Sequence, residues 1–388
     1  MLKLALKNLT RRRTRTILTI LGVTVAISFT VGLLSITEGF MTSVNQSVQE
    51  RREDIFVLPE EVAGLPMPMI ESYGARFPED YCSQIQSISN VEAVYPVFSQ
   101  SLYRTGGSMK DFIALNGVTP AFLTDLRPFL EVERGRLLQE GDEQVVVIGS
   151  TVAEAQGLEV RGILEVGEQL FEVVGVLKPS GGFDDMIAYA PIKALQEIYG
   201  EPEKITSAAV RVDDPDKAEE TATGITNAFA SSSPRVVAQT MEELLGKMTD
   251  FLSTARAIHF SVASIALLIG VLFILSTMLM AVSERTKEIG TMRAIGTSRR
   301  SIFRLIVTES LIISLIAGGL GCLGGWLLSK LITYAIAKLA GVTFLEAIVS
   351  PRIFGTGLVI ALLIGALAGL YPAWRISKVN IVEALRYE

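Results

Sequence analysis

The residues with the clearest chemistry lie in one run, Ser283-Glu284-Arg285-Thr286-Lys287-Glu288-Ile289-Gly290-Thr291-Met292-Arg293-Ala294-Ile295-Gly296. Charges of both signs surround two apolar residues, Ile289 and Met292, which are three apart and so share a helical face. An apolar anchor inside a polar rim makes no covalent bond; it suits a groove on another protein. A basic loop with incidental apolar residues fits the same pattern, and the run alone leaves the two readings level. The helix of the apolar stretch before this run is expected to continue to about Ile295, where Gly296 can end it in a left-handed conformation, and Thr297 or Ser298 can cap the next one.

Bond-making chemistry is scarce elsewhere. His259 is the only histidine, placed beside an apolar stretch where an imidazole is ordinarily interfacial. No His-Glu-x-x-His, Cys-x-x-Cys or Gly-x-Ser-x-Gly occurs, and Gly246-Lys247 runs into Met248 without an upstream glycine, so no P-loop cradles nucleotide phosphates. The two cysteines, Cys82 and Cys322, lie in a polar and an apolar region, which excludes a disulfide framework or zinc cluster. Cys82 reads as a small buried apolar side chain. Glu309 borders an apolar stretch and reads as an interfacial acid bonded to a neighbouring helix, not as the site of a coupling ion.

A membrane must position these residues. Of 388 residues 49% are apolar, and they cluster into stretches at 17–36, 258–282, 311–329 and 353–373, none holding Asp, Glu, Lys or Arg. At about 1.5 Å per helical residue each reaches roughly 30 Å, the hydrocarbon thickness of a bilayer. We expect four transmembrane helices at 17–36, 255–282, 305–331 and 353–373. Lys3, Lys7, Arg11, Arg12, Arg13 and Arg15 precede the first, six Lys or Arg fall in 283–304, and Arg375, Lys378 and Arg386 lie in the tail 374–388. That bias puts both termini in the cytoplasm of an inner or plasma membrane. Lys330, Lys338 and Arg352, around the outer loop 332–352, dilute it. A cleavable signal sequence is the competing reading of the first stretch, but its apolar core is too long. Residues 1–16 place Leu2, Leu6 and Leu9 on one face, as a helix on the inner leaflet or a plain orientation signal.

The middle, 37–254, carries 16 basic and 35 acidic residues, which opposes nucleic-acid binding and suits the outer face. An apolar stripe continues past the first stretch through Phe40, Val44 and Val48, and another precedes the second through Leu244, Met248 and Phe251. We expect helical extensions at 37–52 and 241–254 that pack as a stalk, or else two separate surface helices. Between them the order β-α-β, a β-rich section, then β-α-β predicts a large mixed α/β extracytoplasmic domain of two subdomains, the second inserted in the first over about 101–206. Gly321 with Gly325, and Gly365 with Gly369, stand four apart in the last two stretches, a spacing that brings helix backbones close, within the chain or across a dimer.

The run from Arg285 to Gly296 resembles the signature of the FtsX-like, MacB-type ABC transporter permeases, which include macrolide-exporter and lipoprotein-release branches. The glycine-rich third stretch is similar too, as are Tyr371-Pro372-Ala373-Trp374-Arg375, Val382-Glu383-Ala384-Leu385-Arg386-Tyr387-Glu388 and the opening Leu6-Lys7-Asn8-Leu9. The similarity is strong over 1–36 and from about 256 onward, and weak between. Asn380 departs from it where many relatives carry proline. The resemblance implies a permease, homodimeric or heterodimeric, that binds two copies of a separate ABC ATPase. ATP and magnesium would sit in that partner, leaving this chain without enzymatic activity or cofactor. Glu284 to Gly296 would form the coupling helix, with Arg285, Glu288 and Arg293 as polar contacts and Ile289 with Met292 as apolar ones. Lys287, Gly290 and Ala294 complete it. Hydrolysis would move the outer domain through the stalk, a mechanotransmission that exports or extracts a substrate handled outside the membrane. A regulator that activates an outer cell-wall hydrolase, or reports to a kinase, is the alternative; the outer section of roughly 220 residues exceeds that of the cell-division branch and favours export. Membrane lipid and an outer adaptor are the remaining partners the resemblance implies.

Overall fold

The computed structural model describes residues 13–49, 51–64, 75–103, 112–340 and 347–378. The Leu2, Leu6, Leu9 face and the tail from 379, Asn380 included, lie outside the described residues. The chain divides into a helical unit and an α/β unit.

Its elements in order are helix α1 (Arg13–Gln49), strands β1 (Ile55–Pro59) and β2 (Phe77–Pro78), α2 (Tyr81–Gln86), β3 (Val91–Tyr103), β4 (Phe112–Val118), β5 (Val132–Gly135), β6 (Val145–Ile148), α3 (Ser150–Gln156), β7 (Ile163–Val166), β8 (Gln169–Leu177), β9 (Ile187–Pro191), α4 (Ile192–Ile198), β10 (Lys204–Ile205), β11 (Ser207–Val212), α5 (Ala218–Ala228), β12 (Val236–Thr240), α6 (Met241–Glu284), α7 (Thr286–Ala294), α8 (Arg299–Ala340) and α9 (Pro351–Ser377).

In the α/β unit, β12, β1, β11 and the first half of β3 form an antiparallel sheet in that order. Helices α2 and α5 cross over one face, which gives the split β-α-β arrangement. Tyr81, Ile85, Ile225 and Phe229 from those helices pack with Ile55, Val57 and Val210 of the strands. The second section is strung between β3 and β11 in sequence, with order β4-β9-β6-β8-β5 and β7 paired to β8. The 13-residue β3 belongs to both: Val91 to Val97 pair with β11, and Phe98 to Tyr103 pair with β4. A second core, with Tyr95, Phe122, Leu126, Val147 and Tyr189, collects residues of both sections. Period-2 burial is plain in β7, where Leu164 and Val166 are buried while Ile163 and Glu165 are exposed.

In the helical unit, Val23, Ile27, Ile274, Met278, Ile313, Ala317 and Ile364 form the shared core. Ile258, Phe260, Ile265, Leu268, Leu327 and Leu363 are exposed, as lipid-facing residues are. Four helices are long and apolar enough to cross a membrane, over Thr16–Val44, Phe260–Glu284, Arg299–Leu339 and Pro351–Ser377. The third helix runs on to Ala340 instead of ending at 331. Its sequence there, Leu331-Ile332-Thr333-Tyr334-Ala335-Ile336-Ala337, holds no glycine or proline to stop it, and Thr333 Oγ1 donates back to the Ser329 carbonyl at 3.0 Å.

The glycine pairs are contacts within the chain. A Cβ on Gly321 would lie 2.7 Å from Ile27 Cβ of α1, and one on Gly325 would lie 2.7 Å from Val31 Cβ. On α9, a Cβ at Gly365 would strike the Ser314 hydroxyl of α8, and one at Gly369 the Ser310 hydroxyl. The missing side chains let α1, α8 and α9 approach backbone to backbone.

Candidate functional site

The run at 283–298 is a helix-turn-helix rather than one continued helix. Sequence periodicity carries α6 on to about 295, yet α6 stops at Glu284 and α7 starts afresh at Thr286, with Arg285 between them at φ −105° and ψ 9°. The local chemistry explains the break. Ser283 Oγ donates to the Met280 carbonyl at 2.9 Å, and Thr286 Oγ1 to those of Val282 and Ser283 at 3.1 and 2.9 Å. Such hydroxyls compete for the helical ladder and favour a bend. At the far end Gly296 takes φ +103°, its N–H donates to the Arg293 carbonyl at 3.1 Å, and the Thr297 N–H donates to that of Met292 at 3.0 Å. This is the Schellman closure, which needs a residue without a Cβ. Ser298 Oγ then accepts from the Ser301 N–H at 3.3 Å and caps α8.

The apolar anchor points inward. Ile289 is buried with Val282, Ile302, Ile306, Ala373 and Ile376, and Met292 packs half-buried beside it. Where the sequence reading has both residues offered to a partner, Ile289 is instead enclosed by the chain's own α8 and α9, while Met292 keeps part of its surface exposed. Gly290 is buried with them. Arg285 is likewise turned inward, its Nη1 lying 3.5 Å from Glu309 Oε2, with both side chains largely shielded. The outer face presents Glu284, Lys287, Glu288, Thr291, Ala294 and Ile295. Ile295 is 82% exposed. Period-3.6 reasoning missed Ile295 because it follows the last helical turn and shares no stripe with Ile289.

In the stalk region Val44 is buried against Phe40, Met41, Leu245 and Phe183, so α1 and the start of α6 meet. Leu244 is buried as well. Val48, Met248 and Phe251 fall in these helices, but their side chains lie outside the described residues. Lys247 Nζ of α6 donates to the Ala63 carbonyl at 2.5 Å, as does Gln239 Nε2 of β12 at 2.8 Å, which ties the turn after β1 to β12 and to the start of α6.

A buried ion cluster escaped the sequence reading altogether. Arg51 Nη2 lies 3.1 Å from Asp184 Oδ2 and Nη1 lies 3.7 Å from Glu53 Oε1. Arg127 bonds the other Glu53 oxygen through Nη1, and its Nε is 3.6 Å from Asp184 Oδ1. Its guanidinium also covers the Phe122 ring at 4.8 Å. Burial alone would raise the Asp184 carboxyl, but Arg51, Arg127 and the Tyr189 hydroxyl outweigh it and hold it below the ordinary range. Burial, then the Asp184 charge, pushes the Tyr189 phenol well up. Four charges from three distant stretches carry no periodic signature, so no sequence pattern announces them.

Residues 16–228 match the family described as the MacB-like periplasmic core domain, and residues 260–381 match the FtsX-like permease C-terminal family. The chain is 27% identical to an uncharacterized ABC transporter permease of Methanocaldococcus jannaschii, over 99% of this chain and 97% of that one. It is 25% identical to the uncharacterized ABC transporter permease YknZ of Bacillus subtilis, over 100% and 98%. It is also 27% identical to the macrolide export ATP-binding/permease protein MacB of Bdellovibrio bacteriovorus, covering 98% of this chain and 61% of that longer protein.

Proposed function

The chain belongs to the MacB-like and FtsX-like ABC transporter permeases, and on that premise we propose that it is a permease subunit driven by a separate ATPase chain. Helix α7 is its coupling element. It faces the cytoplasm with both termini, and a pair of ATPase subunits dock there, carrying ATP and magnesium. The permease works as a dimer, with itself or with a related chain. Its α/β unit stands outside the membrane and is moved during export or extraction of a substrate.

One observation carries this reading: α7 is keyed into the chain's own core by Ile289 and Arg285 while its outer face offers Lys287, Glu288, Thr291 and Ile295. A short helix fixed rigidly on one side, with mixed charge and one exposed apolar residue on the other, suits force transfer from a bound partner. The lengths of α1 and α6 support the rest. At about 1.5 Å per residue they reach roughly 55 and 65 Å, twice a bilayer's hydrocarbon thickness, so displacement at one end is carried well beyond the lipid. Two relatives matched over 97% and 98% of their own length are named as permeases alone, which supports a motor on another chain.

Reconstitution tests it. The chain with its ATPase in vesicles is expected to stimulate ATP hydrolysis, and Ile295→Asp is expected to abolish the stimulation with insertion intact. ATP hydrolysis by the permease alone would overturn the assignment. So would labelling of a cysteine at Lys287 by an impermeant reagent from outside intact cells.

A further inference from the structure

The turn at Phe183–Met186 joins parts that the sequence keeps far apart. The Phe183 ring meets Phe40 of α1 edge to face, 6.4 Å between centroids, and packs with Val44 of α1 and Leu245 of α6. One residue on, Asp184 is enclosed by Arg51, which lies two residues past the end of α1, and by Arg127. The Tyr189 hydroxyl of β9 donates to Asp184 Oδ1 at 2.5 Å. Asp185 then accepts from the N–H groups of Ser180 and Gly181, each at 2.8 Å, and so stiffens the loop that carries the turn. The chain passes straight from this turn into β9, which pairs with both β4 and β6 in the middle of the second section. A displacement of α1 therefore reaches the centre of that section and not its rim.

Some of these ion pairs are longer than hydrogen bonds, 3.7 Å from Arg51 to Glu53 Oε1 and 3.6 Å from Arg127 Nε to Asp184. Arg51 Nε, Glu53 Oε1 and Arg127 Nε are buried without a hydrogen-bond partner. Two positive and two negative groups in a low-dielectric site cannot separate without great cost, but they can exchange partners.

We propose that Phe183 and Asp184 form the joint through which the stalk helices steer the inserted section, with Arg51, Glu53 and Arg127 holding its register. Both are positioning residues, and the proposal rests on the driven-permease reading above. Spin labels test it in the full complex of permease and ATPase, in a chain carrying Cys82→Ser and Cys322→Ser. A label at Asp250→Cys reports the stalk-to-stalk distance across the two permease copies, and one at Glu168→Cys reports the distance between their inserted sections. In the native background both distances are expected to shift between the ATP and ADP states. Phe183→Ala, and separately the charge-balanced pair Arg51→Met with Asp184→Asn, are expected to keep the stalk shift and lose that of the section. If the section still shifts with the stalk in either variant, the joint is refuted and the permease reading stands. A lowered melting temperature with both shifts intact refutes it too, since that is all a purely stabilising role would give. A native stalk distance that ignores nucleotide overturns the permease reading, and the joint falls with it.

Discussion

Ile289 and Ile295, six residues apart, should fail in opposite ways. Ile295 is 82% exposed, so nearly its whole side chain is available to a partner. Truncation to alanine removes three carbons, and at about 0.8 kcal/mol per buried methylene a docked Ile295 would lose about 2 kcal/mol. That is about a 30-fold weaker Kd for the ATPase. The fold should hardly notice. Ile289 is 7% exposed and shares its cluster with Ile302, Ile306 and Ile376. Ile289→Ala leaves a cavity there and should cost about 2–4 kcal/mol of stability. The assays are titration of the purified permease with its ATPase and thermal unfolding in the same detergent. Ile295→Ala should move the first and spare the second, and Ile289→Ala should lower the unfolding temperature. Equal ATPase affinity for Ile295→Ala and the native chain would refute the docking face. An unchanged melt for Ile289→Ala would refute the internal anchor.

Three more outcomes follow from the same geometry. Gly325→Ala forces a Cβ to 2.7 Å from Val31 Cβ and 2.8 Å from the Ser28 carbonyl, and should destabilise the helical unit by about 1–3 kcal/mol; Gly319→Ala on the same helix meets nothing within 4 Å and should be neutral or stabilising, as detergent melts would show. Burial, with Glu79 and Asp80 nearby, pushes the Cys82 thiol up to about 12, so its alkylation by iodoacetamide near neutral pH should run about a thousandfold slower than that of a free thiol. The Asp184 carboxyl is held below its ordinary range in the folded chain; its stabilisation is complete above the unfolded value near about 4 and is lost as pH falls through the folded value, so Asp184→Asn should flatten the acid limb of the unfolding curve and leave the slope above about pH 5 unchanged.

Much of this fold is written in local pattern. The uncharged stretches gave the spans because hydropathy is a sum over neighbours, and the β-α-β order around 54–98 and 208–238 gave the first section because turn residues punctuate it. The glycines at 321, 325, 365 and 369 announced close packing, although spacing alone could not say that Ile27, Val31, Ser310 and Ser314 of this same chain were what they packed on. Helix α7 shows the limit. A helical face through Ile289 and Met292 is legible, but whether an apolar face meets a partner or its own protein depends on Ile302 and Ile376, which tertiary structure alone brings there. The break at Arg285 is a tie between helix propensity and hydroxyl back-bonding that propensity loses. The ion cluster is further out of reach: Arg51 finds Asp184 across 133 residues, and no window along the chain contains both.

Strand β3 has a practical consequence. Its first seven residues are laddered to β11 and its last six to β4, so the same peptide finishes one sheet and begins the next. Excising 112–203 would strip Phe98 to Tyr103 of their partner strand β4 and leave a bare edge able to recruit strands from other molecules. The two halves of this head are one article of manufacture: a fragment boundary drawn between them should yield aggregates, and soluble material should come only when the whole ribbon is kept.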